Sequence, residues 1–246
     1  MSNKMKFSVI IPAFNEERTI SNIINDLTSE LVKDYSNNDF EIIVVDDGST
    51  DNTGKEVLKN GKAKLITNKE NSGKGFSMRK GVMLACGELV CFVDGDGSHS
   101  SSDLKIALKI VGKFRSRRKI MITGVRFWTN EHGTSTFNAI GNKIYSHIAK
   151  LLWARRINDL TCGLRIIYKE DFMLLKLNAS RYTIEVEMIA QALKNRYQII
   201  ELPINAKPRQ FGQSGVRALR EGIIIPVSFI LSSIGIFDII AGKISV

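Results

Sequence analysis

Cysteine and histidine are scarce in this chain, which contains three of each among its 246 residues. The cysteines are odd in number, show no CxxC spacing, and lie partly in apolar helix or strand contexts. This pattern disfavours disulfides and a zinc site, and it predicts buried, reduced thiols in a cytosolic environment. The histidines also lack metal-ligand spacing, so we expect surface positions or local hydrogen bonds for them.

Internal repeats, low-complexity stretches and linkers are absent as well. Residues 1–6 are polar and continue into an apolar run at 7–11 that is too short for a signal peptide, so we expect none there. With 43% hydrophobic and 24% charged residues, the chain can bury a substantial core. We therefore expect one large α/β domain, with or without an appendage.

The net charge of +10 indicates an anionic partner, which could be nucleic acid, a phosphorylated small molecule or an acidic membrane surface. Charge alone does not choose among these three classes. Nucleic acid is disfavoured, because the sequence contains no aromatic and basic platform and no recognised nucleic-acid-binding motif.

Apolar runs and amphipathic helix patterns alternate through the first 125 residues. The runs are short, β-branched and unalternating, which is typical of parallel strands covered on both faces. The sequence therefore predicts an α/β fold with a doubly wound, mostly parallel sheet and a less regular second half. Predicted strands cover residues 7–11, a run ending at 46, 63–67, 89–93, 120–123, 164–168 and 198–202; predicted helices cover 16–32, 51–59, 74–86, 102–114, 134–152 and 184–195.

Two carboxylate clusters directly follow apolar strand patterns. Asp46 and Asp47 end one run, and Asp94 and Asp96 follow the run at 89–93. Ligands bind outside the carboxyl ends of strands in such sheets. Neighbouring carboxylates repel each other without a cation, so the second cluster predicts a hard divalent ion, Mg²⁺ or Mn²⁺, left open to substrate phosphates. Taken alone, the first cluster also fits a turn and a helix cap.

Seven motifs occur in order along the chain. They are Pro12-Ala13-Phe14-Asn15-Glu16-Glu17, Val45-Asp46-Asp47-Gly48-Ser49-Thr50-Asp51, Asn71-Ser72-Gly73-Lys74-Gly75, Asp94-Gly95-Asp96, Gly124-Val125-Arg126, Asp159-Leu160-Thr161-Cys162-Gly163-Leu164-Arg165 and Arg209-Gln210-Phe211-Gly212-Gln213-Ser214. With these motifs, about residues 6 to 215 resemble a family 2 glycosyltransferase of the GT-A fold. Within that family, the sequence is similar to the branch of dolichol-phosphate mannosyltransferases and polyprenyl-phosphate glucosyltransferases.

The resemblance implies an inverting, metal-dependent transfer of a sugar from a GDP- or UDP-sugar to a polyprenyl (dolichyl-type) phosphate at the cytoplasmic face of a membrane. It divides the chain into a GT-A domain at 1–215, with a nucleotide-sugar half at 1–125 and an acceptor half at 126–215, and a C-terminal amphipathic or membrane-associated helix at 216–246. Two alternatives stay open: a family 2 transferase with a saccharide or protein hydroxyl acceptor, and a non-catalytic sugar-nucleotide or membrane-binding regulatory subunit. A membrane partner subunit could also bind.

The same resemblance assigns roles to individual residues. Asp46 is suited to bind the base, and Arg126 and Arg209 offer planar forks for phosphate oxygens. Asp159 orients the acceptor or the sugar, or acts as a base if the acceptor is a hydroxyl. The nucleotide-sugar contacts are Pro12, Phe14, Asn15, Glu16, Val44, Asp46, Lys74, Asp94, Gly95, Asp96 and Arg126; the metal ligands are Asp94, Asp96 and Ser98; the catalytic residues are Asp96, Arg126, Asp159 and Arg209.

Three positions depart from the pattern of the resembling mannosyltransferases. Ser98 replaces a metal-ligating Gln. Gly215 replaces a Lys, for which Arg217 is a candidate substitute, and an Arg expected before Asn142 is missing. These differences disfavour mannose as the donor sugar and leave glucose, N-acetylglucosamine and a uronic acid open.

Residues 223–241 form an apolar segment with a single charge, Asp238. As a helix it would be about 28 Å long, close to the thickness of the hydrocarbon core of a bilayer. The charge, together with three serines and flanking glycines, favours an interfacial or shallowly inserted helix over a full span or a core helix.

Other candidate residues have plainer interpretations. Glu185 and Glu187 lie where the resembling family has paired Glu residues on a helix, but solvated helix positions explain them nearly as well. His99 closely follows Asp96 and is the histidine that could contact the site.

Overall fold

The computed structural model describes residues 6–114, 119–126 and 155–207, together with the single positions 147, 150 and 151. Seven strands and six helices lie within these residues. The strands are β1 (Phe7–Ala13), β2 (Phe40–Asp46), β3 (Lys64–Thr67), β4 (Leu89–Phe92), β5 (Ile120–Arg126), β6 (Arg165–Tyr168) and β7 (Gln198–Ile204). The helices are α1 (Ile20–Leu31), α2 (Thr53–Asn60), α3 (Lys74–Leu84), α4 (Ser101–Gly112), α5 (Lys169–Leu174) and α6 (Ile184–Lys194).

The strands form one mixed sheet in the order β3-β2-β1-β4-β6-β5-β7. Only β6 runs antiparallel to its neighbours, β4 and β5, among the strands described. The prediction of a mostly parallel α/β sheet is confirmed. The first 125 residues do not complete that sheet by themselves, because β6 from the second half lies between β4 and β5. A local strand pattern does not specify its neighbours, which are long-range contacts.

Both faces of the sheet are covered, and successive residues of one strand belong to different core clusters. Ile10 of β1 packs in the cluster that contains Met78 of α3. Val9 packs in the other cluster, with Ile24 of α1 and Leu104 of α4. This alternation follows the two-residue period of a strand. It explains why the apolar runs do not alternate with polar residues: all seven positions of β2 are buried.

The ends of some helices differ from the sequence prediction. α1 begins at Ile20 rather than at Glu16, because the intervening residues form a turn in which the Thr19 hydroxyl donates to the carbonyl oxygen of Gly95 (2.8 Å). α5 was not predicted, since its six residues are too few to show a helical period. Two predicted segments lie outside the described residues: the C-terminal segment 216–246, and the helix at 134–152 except for positions 147, 150 and 151.

In the part of the chain that the structure describes, no helix combines the length and the apolar character needed to cross a membrane. All three cysteines are free thiols. Burial raises the pKa of Cys91, and it raises that of Cys162 to about 12. Cys86 is exposed, so the expectation of buried thiols holds for two of the three.

The start of α3 lies against the segment that precedes α6. Gly73 has a φ of +95°, and a Cβ at Gly75 would lie 2.2 Å from the carbonyl oxygen of Ala179. The N–H of Phe76 donates to the carbonyl oxygen of Ser180 (3.0 Å). A side chain at position 75 would prevent this approach, which brings the first residue of α3 next to the first turn of α6.

We expect Gly75→Ala to destabilise the protein by about 2 kcal/mol, because the new methyl group would collide with backbone atoms that cannot rotate away. Gly112→Ala is the matched control, since Gly112 also lies in a helix and a Cβ there meets nothing within 4 Å. It should be neutral or stabilise the protein by up to about 1 kcal/mol. Urea unfolding of both variants measures the difference, and equal stabilities would contradict the close approach.

Candidate active site

The carboxyl ends of β1 and β2 carry two loops that hydrogen-bond to each other. Asn15 has a φ of +58°, and its side-chain oxygen accepts from the N–H of Thr50 (2.9 Å). The N–H of Asn15 donates in turn to the hydroxyl of Ser49 (2.9 Å). The segment predicted to bind the nucleoside is therefore held against the loop that follows Asp46.

Asp46 and Asp47 have different contacts although they are adjacent. Asp46 accepts from the N–H of Ser49 (2.9 Å) at the end of β2. Asp47 is buried and fixes the loop that leads into α3, a structural role that the motif alone does not reveal. Its donors are the side-chain amide of Asn68, the N–H groups of Ser72 and Gly73, and the hydroxyl of Ser77.

Lys74, the first residue of α3, places its ammonium group between two carboxylates. Nζ lies 2.5 Å from Oδ1 of Asp94, just after β4, and it also pairs with Glu185 in the first turn of α6. Burial alone would lower the pKa of Lys74, but the charges of Asp94 and Glu185 raise it above its ordinary value. The ammonium group is thus charged, and it joins residues from both halves of the chain.

The other oxygen of Asp94 contacts His99. Nε2 of His99 lies 3.1 Å from Oδ2, and its buried Nδ1 has no hydrogen-bond partner among the described residues. Gly163 packs so closely that a Cβ there would lie 2.2 Å from Oδ2. Burial alone would raise the pKa of Asp94, but Lys74 and His99 hold it well below its ordinary range. Asp94 is therefore a fixed anion with both oxygens in polar contacts.

Asp96 and Ser98 lie on the turn that follows Asp94. Oδ1 of Asp96 accepts from the N–H of Ser98 (3.0 Å), and the carbonyl oxygen of Ser98 accepts from the N–H of Lys207 (2.9 Å). Gly95 lies close to β1, since a Cβ there would be 3.2 Å from the carbonyl oxygen of Pro12. These contacts place the second carboxylate cluster beside the loop after β1.

The chemistry of this turn fits a divalent cation that is shared with a ligand. Asp94 and Asp96 offer the hard carboxylate oxygens that Mg²⁺ and Mn²⁺ prefer. No group of three or more His, Cys, Asp or Glu side chains is arranged to hold a metal within residues 6–114, 119–126 and 155–207. Two carboxylates match an ion that completes its coordination with substrate phosphates and water. The unsatisfied Nδ1 of His99 is a further polar atom beside the turn.

A second ion pair joins Arg126, the last residue of β5, to Asp159. Nε and Nη2 of Arg126 donate to Oδ2 and Oδ1 of Asp159 at 2.7 and 2.9 Å, and the N–H of Thr161 donates to Oδ1 (3.1 Å). Burial alone would lower the pKa of Arg126, but the hydrogen bond and charge of Asp159 raise it. Asp159 is buried and both its oxygens accept hydrogen bonds. This geometry suits Asp159 to orient Arg126 rather than to act as a base.

Arg165, the first residue of β6, is fully buried. Its guanidinium group donates to the backbone carbonyl oxygens of Leu160, Cys162 and Glu185 at 2.6, 3.1 and 2.5 Å. These bonds tie the loop that carries Asp159 to the start of α6. The sequence did not reveal this role, because an arginine in a strand pattern gives no sign of whether it contacts a ligand or the backbone.

The two glutamates of α6 are buried, so the interpretation of them as solvated positions is wrong. Glu185 pairs with Lys74. Glu187 accepts from the N–H groups of Asn178 (3.0 Å) and Ala179 (2.9 Å). Glu187 therefore shapes the segment that contacts α3, and Glu185 is the member of the pair that reaches the site.

The remaining predicted site residues differ in exposure. Phe14 is 40% exposed beside the interlocked loops, whereas Glu16 is buried there. Val44 is fully buried among the apolar side chains that pack on one face of the sheet, so a nucleotide contact there would involve its backbone; the assignment stays a prediction. Arg209 lies outside the described residues.

The contacts of Asp94 make stability depend on pH. Because the folded-state pKa of Asp94 is lowered, its ionised form stabilises the protein above the ordinary Asp pKa of about 3.9, and this stabilisation is lost as the pH falls below that value. We expect Asp94→Asn to lower the free energy of unfolding by about 2 kcal/mol at pH 7. At pH 3 the difference should be about 1 kcal/mol smaller. Urea unfolding of the wild type and the variant at both pH values measures this difference in stability. A difference that is the same at pH 7 and pH 3 would refute the lowered pKa of Asp94.

Comparison with protein families and curated proteins identifies relatives of this chain. Residues 8–175 match the family model described as glycosyl transferase family 2. Dolichyl-phosphate beta-glucosyltransferase of Saccharomyces cerevisiae is 28% identical over 220 residues, which cover 80% of this chain and 66% of the yeast protein. Glycosyltransferase AglJ of Haloferax volcanii is 28% identical over 220 residues. The alignment covers 88% of this chain and 68% of AglJ. The chain thus spans just under two thirds of the length of the yeast relative.

Solved structures share the fold. Glucosyl-3-phosphoglycerate synthase from Mycobacterium tuberculosis, in complex with Mn²⁺, uridine diphosphate and glucosyl-3-phosphoglycerate, has a TM-score of 0.69 at 20% identity, with 94% of this chain and 81% of that chain covered. Mannosyl-3-phosphoglycerate synthase from Rubrobacter xylanophilus has a TM-score of 0.68 at 16% identity. The superposition covers 94% of this chain and 75% of the synthase chain. These likenesses confirm the predicted GT-A fold. The family match over more than half of its length establishes that this chain belongs to glycosyl transferase family 2.

Proposed function

We propose that this protein transfers a sugar, with inversion at the anomeric carbon, from a nucleoside diphosphate sugar to a polyprenyl phosphate at the cytoplasmic face of a membrane. The observation that carries the proposal is the meeting of Lys74, the Asp94 turn and Arg126 at one edge of the sheet. An ammonium group, an arginine fork and two carboxylates suited to a metal match a reaction between two phosphorylated reactants. The yeast relative is named for a dolichyl-phosphate acceptor, which supports the acceptor class.

On the donor side, the exposed ring of Phe14 and the carboxylate of Asp46 would bind the nucleoside at the ends of β1 and β2. Asp94 and Asp96 would hold Mg²⁺ or Mn²⁺. When bound, that ion neutralises the diphosphate and makes it a better leaving group. Glucose is the favoured sugar, because Ser98 departs from the mannosyltransferase pattern and several relatives are named glucosyltransferases.

On the acceptor side, Arg126 would bind the phosphate group through its guanidinium; its side chain is 21% exposed. A phosphate monoester loses its second proton near pH 6, so it can attack without a general base. The protein then has to align a phosphate oxygen with the anomeric carbon and to surround the departing diphosphate with positive charge. A single displacement on an α-linked donor gives a β product, the configuration named for the yeast relative.

The membrane placement follows from the proposed acceptor. A polyprenyl chain lies in the bilayer, so its phosphate is presented at the interface. The apolar segment 223–241 would lie in that interface, and the basic run 113–119 would face anionic headgroups. The scarcity of cysteine and the reduced thiols favour the cytoplasmic face. A membrane partner subunit could support the same placement.

Transfer should require the phosphate group of the acceptor. We expect purified protein with Mn²⁺ and labelled UDP-glucose to form lipid-linked product with a short polyprenyl phosphate, and at least about 100-fold less with the matched polyprenol. A panel of UDP- and GDP-sugars, assayed by chromatography of the lipid extract, identifies the donor. Equal transfer to the polyprenol or to a saccharide would assign a hydroxyl acceptor instead. Donor binding without transfer to any acceptor would assign a non-catalytic role.

Asp159→Asn tests whether Asp159 positions Arg126 or acts as a base. We expect kcat/KM for the lipid phosphate to fall roughly 10- to 100-fold, mainly through KM, because Arg126 loses its fixed orientation. The acidic limb of the pH–rate profile should persist, since it belongs to the acceptor phosphate. Asp171→Asn is the control, because Asp171 is also buried but binds Lys119 and Tyr197 away from these contacts. A loss of kcat together with the acidic limb would identify a base.

A further inference from the structure

We propose that Lys74 is a built-in counter-ion that competes with the divalent cation for Asp94, and that Glu185 holds the ammonium group when the cation takes its place. This inference rests on the proposed function, because it assumes a divalent cation at Asp94 and Asp96. It makes Glu185 a positioning residue that acts through Lys74.

Access to Asp94 is already restricted in the structure. Nζ of Lys74 lies 2.5 Å from Oδ1, and Nε2 of His99 lies 3.1 Å from Oδ2. Gly163 packs directly against the same carboxylate. A cation that binds Oδ1 must share this oxygen with the ammonium group or displace it, and sharing is opposed by repulsion between like charges at short range.

Glu185 offers the displaced ammonium group a position where it keeps a partner. Its side chain is 3% exposed and already pairs with Nζ of Lys74. Its backbone carbonyl oxygen accepts from the buried guanidinium of Arg165, so the start of α6 is fixed. A buried ammonium group without a partner is strongly disfavoured. With Glu185 present, Lys74 can leave Asp94 and still be paired.

The cation changes the local charge, but Lys74 has an anionic partner in both arrangements. Without the cation, the ammonium group lies between the carboxylates of Asp94 and Glu185, which gives these three side chains a net charge of −1. With a divalent cation, Asp94 and Asp96 together neutralise the ion, and Lys74 with Glu185 forms a neutral pair. Each buried charge therefore keeps a partner during the exchange.

Binding of Mn²⁺ to the protein without substrates tests this exchange. Free Mn²⁺ is measured by electron paramagnetic resonance in the wild type, Lys74→Met, Glu185→Gln and the double variant. We expect Lys74→Met to bind Mn²⁺ about tenfold more tightly and Glu185→Gln about tenfold more weakly, as couplings between contacting charges allow. In the Lys74→Met background, Glu185→Gln should have no further effect, because Glu185 acts only through Lys74.

Lys80→Met is the matched control. Lys80 also lies on α3, but its ammonium group donates to Thr67 and Asn68. This variant should bind Mn²⁺ within about twofold of the wild type.

Additive effects of Lys74→Met and Glu185→Gln would overturn the proposal, because they would show that the two charges act on the ion independently. So would a folded Lys74→Met protein that binds Mn²⁺ no more tightly than the wild type. Should Lys74→Met fail to fold, Glu185→Gln still decides, since an unchanged affinity there contradicts the role of Glu185. The measurement contains neither donor nor acceptor, so an error in the proposed transfer reaction would leave its result unaffected.

Discussion

An ammonium group held between two carboxylates constrains how the helices and strands are arranged at the carboxyl ends of the parallel strands. Lys74 can contact both Asp94 and Glu185 only if α3 begins, β4 ends and α6 begins near the same point. Largely buried charges persist only with close partners, because desolvation otherwise costs several kcal/mol. The contact of Gly75 with the backbone of Ala179 is part of the same requirement, since it lets α3 start against the segment before α6. Placing this one charge therefore fixes the relation of three elements.

Two pairs of acidic residues, Asp46 with Asp47 and Glu185 with Glu187, contain members with different contacts. Asp47 accepts hydrogen bonds from the loop before α3, whereas Asp46 stays at the strand end. In α6, Glu187 binds the backbone of the preceding segment, whereas Glu185 pairs with Lys74. Asp46 also accepts from the backbone, but only within its own loop, whereas Asp47 and Glu187 order the segments that lead into α3 and α6.

Most elements could be predicted from the sequence because periodicity is a local property. The unalternating run that ends at Asp46 is a strand buried at every position. The insertion of β6 between β4 and β5 could not be predicted, since it depends on contacts between distant parts of the chain. The position of carboxylates after strands indicated the site, but residue type did not separate Asp47 or Arg165 from ligand-binding residues. The burial of Val44 could not be predicted either, because proximity to a motif does not reveal how the strand is covered.

The pairing of Arg126 with Asp159 determines what kind of acceptor recognition this edge can provide. A guanidinium group held at two points by a buried carboxylate has a fixed plane, and the pair as a whole is neutral. Its attraction for a phosphate therefore comes mainly from directed hydrogen bonds rather than from net charge. Such recognition is short in range and sensitive to orientation. Alignment of a phosphate oxygen with an anomeric carbon demands this property, because a small misplacement of the attacking atom slows a displacement severely.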